Sequence, residues 1–119
     1  MKPTQLRKHC LGQPEAVEEF PFGPRTSVFK VAGKMFALAA LEGRPLQVSV
    51  KCEPELAVQF RSSYECIAAG YHLNKRHWNT VTCGGDVPDG LVRDMVEDSY
   101  DLVVEGLPKQ KRERLRALR

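Results

Sequence analysis

SVFKVAGKMFALAALEGRPLQVSVK, residues 27–51, is the stretch whose reading decides the fold. In its last part Leu46, Val48 and Val50 alternate with Gln47, Ser49 and Lys51. That period of two belongs to a strand with one face packed and the other wet. Upstream, Ser27 to Val31 and Lys34 to Leu41 are strand-like runs flanking Ala32-Gly33, a connection short enough for a hairpin. Glu42-Gly43-Arg44-Pro45 reads as the next turn. The three runs together predict an antiparallel meander with one face buried.

Helical patterning surrounds this meander. Pro54 suits the first turn of a helix reaching about Ser63, with Leu56, Ala57 and Phe60 along one side. Tyr64 to Lys75 shows no clear period and reads as irregular, and His77 to Cys83 reads as a fourth strand ended by Gly84-Gly85. The longest helix is expected over Asp89 to about Glu105, where Leu91, Val92, Met95, Val96, Tyr100 and Val103 recur at helical spacing. Gly106 and Pro108 stop it, and Lys109 to Arg119 is consistent with either a basic terminal helix or a frayed end. At the other end Thr4 is the expected cap of a short helix closed by Gly12, and Pro21-Phe22-Gly23-Pro24 is a rigid loop. The expected fold class is α+β: one domain over residues 1–119, an antiparallel sheet flanked by helices, with a basic segment at 108–119.

Composition narrows the classes of function. The sequence has 119 residues, 42% hydrophobic and 28% charged, enough for a real core in one domain. No apolar run approaches the roughly 20 residues of a membrane span, and the opening MKPTQLRKHCLGQPEAVEEF lacks the apolar stretch of a signal peptide. A cytoplasmic protein is therefore expected; the sequence leaves the oligomeric state open, with a monomer favoured. Cys10, Cys52, Cys66 and Cys83 are dispersed and form no CxxC pair, so they read as reduced thiols rather than a zinc or disulfide-exchange site. Six of the 18 basic residues and one of the 15 acidic residues lie beyond Leu107, so that segment carries +5 and the rest of the chain −2. A basic end of this kind attracts polyanions without selecting among them.

The densest chemistry lies in His72-Leu73-Asn74-Lys75-Arg76-His77-Trp78-Asn79. Nucleic acid calls for cations on phosphate, a planar group for stacking and amides for base edges, and all three occur here. Lys75 and Arg76 are the expected phosphate contacts, Trp78 the stacking or supporting ring, and Asn74 and Asn79 the hydrogen-bonding amides. The plainer reading is that Trp78 anchors the core while its neighbours solvate a turn. Lys34 beside the hairpin turn and Lys51 at a strand end extend the set, and Lys30, Arg25 and Arg44 punctuate the same strands. Individually such cations serve to keep strand edges soluble.

Other chemistries find less. His72 and His77 are five apart, which does not stack them on a helix, and no carboxylate or cysteine adjoins them, so no metal site is expected. There is no GxSxG, no phosphate loop and no HExxH, so neither a catalytic residue nor a cofactor is expected. A Cys83 thiolate activated by a histidine is the one nucleophile the spacing leaves open. Asp94, Glu97, Asp98, Asp101 and Glu105 make an acidic stripe along the long helix that would repel DNA, which moves any DNA site to the sheet or the 72–79 segment.

Four segments carry a family likeness: PEAVEEFPFG at 14–23, VFKVAGKMFAL at 28–38, GYHLNKRHWNTV at 70–81 and DSYDLVVEGLPKQKR at 98–112, with Lys51-Cys52-Glu53-Pro54 at the step from strand to helix. In this order they resemble the YjbR (MmcQ/YjbR) family. The resemblance implies an antiparallel sheet with flanking helices, likened both to a double-wing DNA-binding arrangement and to the frataxin-like (CyaY-like) fold. It thus implies a DNA-binding module, with a frataxin-like module for cations or protein partners as the alternative; a binder of small anionic ligands in a pocket beside Trp78 is a further alternative, apart from the resemblance. A DNA site requires the cations to share one exposed face, a cation site requires converging carboxylates, and a ligand site requires a concavity at Trp78 and a histidine.

Overall fold

The computed structural model describes residues 1–70 and 73–119. The elements run α1 (Pro3–Leu11), β1 (Val17–Glu19), β2 (Ser27–Val31), β3 (Lys34–Ala39), β4 (Gln47–Lys51), α2 (Pro54–Ser63), β5 (Ile67–Ala69), β6 (Trp78–Thr82), α3 (Asp89–Glu105) and α4 (Lys109–Ala117). The strands form one six-stranded sheet in the order β1-β2-β3-β4-β6-β5, antiparallel throughout. The fold is α+β, with the expected meander at its centre. Two short edge strands, β1 and β5, were not expected, and β5 lies inside the stretch that reads as irregular.

Alternation along β4 and β6 separates the two faces of the sheet. Val48, Val50 and Val81 enter the core with Phe29, Val31 and Ala37, against Val92, Val96 and Val103 of α3. Gln47, Lys51, Trp78, Thr80 and Thr82 stay at least partly accessible on the other face. α3 covers β3 and β4, α2 covers β5 and β6, and α1 and α4 pack on α3. All the described helices therefore lie on one side of the sheet.

A register break in the β2–β3 hairpin fixes how α3 docks. Phe29 pairs with Ala37 and Lys30 with Met35, so Phe36 is the extra residue of a bulge. Its ring is buried and meets Tyr100 edge-on, with centroids 5.3 Å apart. On the other side of β3, Ala37 pairs with Val50, so Phe36 would stand opposite Lys51 if the ladder ran on. The Ser99 hydroxyl fills that place, accepting from the Lys51 N–H at 2.8 Å and donating to the Phe36 carbonyl at 2.6 Å.

The helix ends differ in detail from the expectation. Thr4 lies inside α1, because Pro3 takes the first helical position and Lys2 becomes the residue before it. The Gln5 side chain accepts from the Lys2 N–H at 2.8 Å. The basic end is a helix. Leu115 of α4 is buried, Arg114 pairs with Glu15 at 2.6 Å, and Arg119 reaches Asp101 and stacks 4.9 Å from the Tyr100 ring centre. No helix among the described residues is long and apolar enough to cross a membrane.

Candidate functional site

Strand direction gathers the cations picked out from the sequence. β3 begins at Lys34, β4 ends at Lys51 and β6 begins at Trp78, and the three strands are neighbours. The hairpin turn at Ala32-Gly33, the end of β4 and the turn holding Lys75 and Arg76 therefore share one end of the sheet. At about 4.8 Å between strands, β3 and β6 are roughly 10 Å apart at this end. Lys34, Lys75 and Arg76 are exposed and Lys51 is half-buried. Among the described residues none of these four side chains makes an ion pair. Lys30, by contrast, is held 2.8 Å from Glu19.

The face leading away from this end is polar and ordered in pairs. Trp78 stands across from Lys51, Thr80 from Ser49 and Thr82 from Gln47. The Ser49 and Thr80 hydroxyls are 2.8 Å apart, and Gln47 donates to Thr82 at 3.0 Å. Cross-strand partners point to the same side, so the half-exposed indole and the Lys51 ammonium share the helix-free face.

The turn before β6 is built by two polar residues. The Asn74 side chain accepts from the Arg76 N–H at 3.0 Å, and its carbonyl accepts from the Trp78 N–H at 2.9 Å. This Asx-type turn presents Lys75 and Arg76 outward. Arg61, in the last turn of α2, donates to the Lys75 carbonyl and, at 2.8 Å, to the Asn79 side chain. Arg61 escapes a reading by sequence because a basic residue near a helix C-terminus needs no further role.

The other expected residues separate into different roles. Asn79 is 2% exposed and faces the helices, where its amide donates to the Ala57 carbonyl at 3.2 Å and accepts from Arg61. It joins α2 to β6 and offers nothing to a base edge, which corrects its expected role. Asn74 is spent on its own turn through its oxygen. His77 is half-buried at the entry to β6, with its carbonyl accepting from the Cys52 N–H at 2.7 Å. His72 lies outside the described residues.

Nucleophilic and metal chemistry gain no support. Burial, chiefly, pushes the Cys83 thiol above its ordinary range, the opposite of an activated thiolate, and the same cause takes Cys10 up to about 12. Among the described residues no group of three or more His, Cys, Asp or Glu side chains converges to hold a metal ion. An apolar cavity lies between α2 and α3, and neither Trp78 nor His77 lines it.

The sheet order, its single helical layer and the basic end define an α+β domain with one open sheet face. The YjbR family model matches residues 11–102, and the protein belongs to that family. It is 41% identical over 98 residues to the Escherichia coli O157:H7 protein YbdF, covering 82% of this chain and 80% of that one. It is 34% identical to YjbR of Escherichia coli K12 over 113 residues, covering 94% and 95% of the two chains. Among solved structures, a Deinococcus radiodurans protein of the DUF419 domain matches with a TM-score of 0.89 and 40% identity, over 96% of this chain and 87% of that one. A Pseudomonas syringae protein matches with a TM-score of 0.74 and 25% identity, over 86% and 98%.

Proposed function

We propose that this protein is a non-enzymatic nucleic-acid-binding module that takes DNA at the basic end of its sheet, beside the helix-free face. The observation that carries the reading is the gathering of Lys34, Lys51, Lys75 and Arg76 at one end of the sheet, free of carboxylate partners among the described residues, with Trp78 on the same face as Lys51. Lys34, Lys75 and Arg76 meet phosphate, Trp78 supplies a stacking surface, and the more accessible Gln47 and Thr82 supply hydrogen bonds. Apart from the +5 segment the chain is net −2, so binding is weak and strongly dependent on salt.

Fluorescence anisotropy with labelled duplex and single-stranded DNA across a salt series tests this. Three phosphate contacts give a slope of log K against log salt of about −3 on duplex, and each cation removed takes about one unit from it. The expected result is that Lys75→Ala/Arg76→Ala lowers both affinity and slope. Truncating α4 is not a clean control because Leu115 is buried in the core. Lys109→Gln/Lys111→Gln/Arg116→Gln removes exposed charge instead, at the cost of only the exposed Lys109–Glu113 pair. Binding that follows the α4 triple variant alone, or no binding at low salt, overturns the reading.

A further inference from the structure

On the other side of the sheet, where α2 and α3 cover the end of β4, there is a cavity of about 290 Å³. Its wall is apolar, made by Val50, Leu56, Phe60, Met95 and Leu102. The rest of its lining is Glu53, Asp98, Asp101 and Glu105 together with Cys52, Asn79 and, at the edge shared with the helix-free face, Lys51. Asp101 is engaged by Arg119, whereas Glu53, Asp98 and Glu105 make no ion pair among the described residues. Partial burial and then the neighbouring carboxylates of Asp101, Asp94 and Glu97 push the Asp98 carboxyl above its ordinary range, so a positive charge beside it would relieve repulsion.

We propose that this cavity binds a compact organic cation, an ammonium group carried on an aromatic ring or short alkyl chain. The apolar wall takes the hydrocarbon part, and the charge sits among Asp98, Glu105 and Glu53. The volume is at the lower end of the range for small-ligand sites, which fits one ring with a short arm and is too small for a folded segment. An anionic ligand would meet at least three uncompensated carboxylates, and a neutral one would leave them uncompensated. The site lies on the helical side and shares only Lys51 with the proposed nucleic-acid surface, so its test does not depend on nucleic-acid binding.

Cys52 lines the same cavity and is half-buried, which provides a direct reporter. In a Cys66→Ser background, which removes the other partly accessible thiol, three probes with a matched hydrocarbon part are compared: phenethylammonium, phenethyl alcohol and phenylpropionate. Calorimetry and the rate of Cys52 alkylation are the two readouts. The expected result is saturable binding of the ammonium compound with protection of Cys52, weaker binding of the alcohol and none of the carboxylate. Asp98→Asn/Glu105→Gln should weaken the ammonium compound by about threefold to tenfold, the scale of two partly exposed charge pairs, and leave the alcohol unchanged. Equal affinity for ammonium and alcohol, an unchanged affinity in the double variant, or no saturable binding of the ammonium compound overturns the proposal.

Discussion

Replacing Ser99 by alanine removes one oxygen atom from the middle of the molecule, and the cost can be worked from its two partners. The hydroxyl is fully buried, accepts from the Lys51 N–H at 2.8 Å and donates to the Phe36 carbonyl at 2.6 Å. Each backbone group left without a partner in a buried setting costs about 1–3 kcal/mol. The Phe36 carbonyl belongs to a fully buried residue, whereas Lys51 is half-buried and its N–H is nearer to water. Alanine returns less than about 0.7 kcal/mol through its higher helix propensity. The net expectation is a loss of about 2–3 kcal/mol, a large fraction of the 5–15 kcal/mol typical of a domain. Urea unfolding measures it: the midpoint should fall with the slope unchanged, which marks lost stability rather than an altered unfolded state. A loss below about 0.5 kcal/mol would refute the claim that this hydroxyl replaces a rung of the ladder at the Phe36 bulge. Ser99 is also the neighbour of Asp98 and three residues from Leu102, so the same variant should weaken any ligand held between α2 and α3.

Two further outcomes follow from single positions. Gly70→Ala would place a Cβ 2.8 Å from the Trp78 Cβ and 3.1 Å from its carbonyl oxygen, so the turn into β6 must shift. A loss of about 1–3 kcal/mol is expected, with a change in the emission of the single tryptophan. Asp86 and Asp98 should respond to pH with opposite signs. Asp86 is held below 3.8 by the Cys66 side chain and by backbone N–H groups at Glu65 and Cys66, so its contribution is present above 3.8 and is lost as pH falls through the lower folded value. Asp98 is raised by burial and neighbouring carboxylates, so its penalty is full above the folded value and absent below 3.8. Asp86→Asn should therefore destabilise, and Asp98→Asn stabilise, at neutral pH only, as read by urea midpoints across a pH series.

The elements legible in the sequence were those whose own residues carry the pattern. The alternation from Leu46 to Lys51 and the helical spacing from Leu91 to Val103 each report one buried face, and both elements formed as expected. β1 and β5 are three residues each, with two glutamates in one and two alanines in the other. Their strand character comes from pairing with β2 and β6 rather than from intrinsic preference. Asn79 misled for a related reason: an amide beside a tryptophan and two cations looks available, and only the placement of α2 shows it satisfied internally. The contiguous 72–79 segment could be picked out locally, but its union with Lys34 and Lys51 depends on the β3-β4-β6 strand order, which no local pattern encodes.

The distribution of charge explains why the two proposed sites lie on opposite sides of the sheet. Asp94, Glu97, Asp98, Asp101 and Glu105 all belong to α3, on the helical side, where a polyanion is repelled. α4 offsets part of this field, because Arg119 reaches Asp101, and Arg114 is occupied by Glu15. The +5 segment is thus not a free polycation, and two of its six cations are already committed within the fold. Arg112 is also near the domain, with its guanidinium 3.5 Å from the Glu105 carbonyl. What remains uncompensated on the helical side is negative and centred on Asp98 and Glu105, and what remains uncompensated at the end of the sheet is positive and centred on Lys75 and Arg76. Lys51 stands at the boundary, opposite Trp78 on the open face and also lining the cavity. Screening over about 8 Å at physiological salt keeps the two fields local, so the two proposals call for a phosphate backbone and an organic cation on different sides of β4.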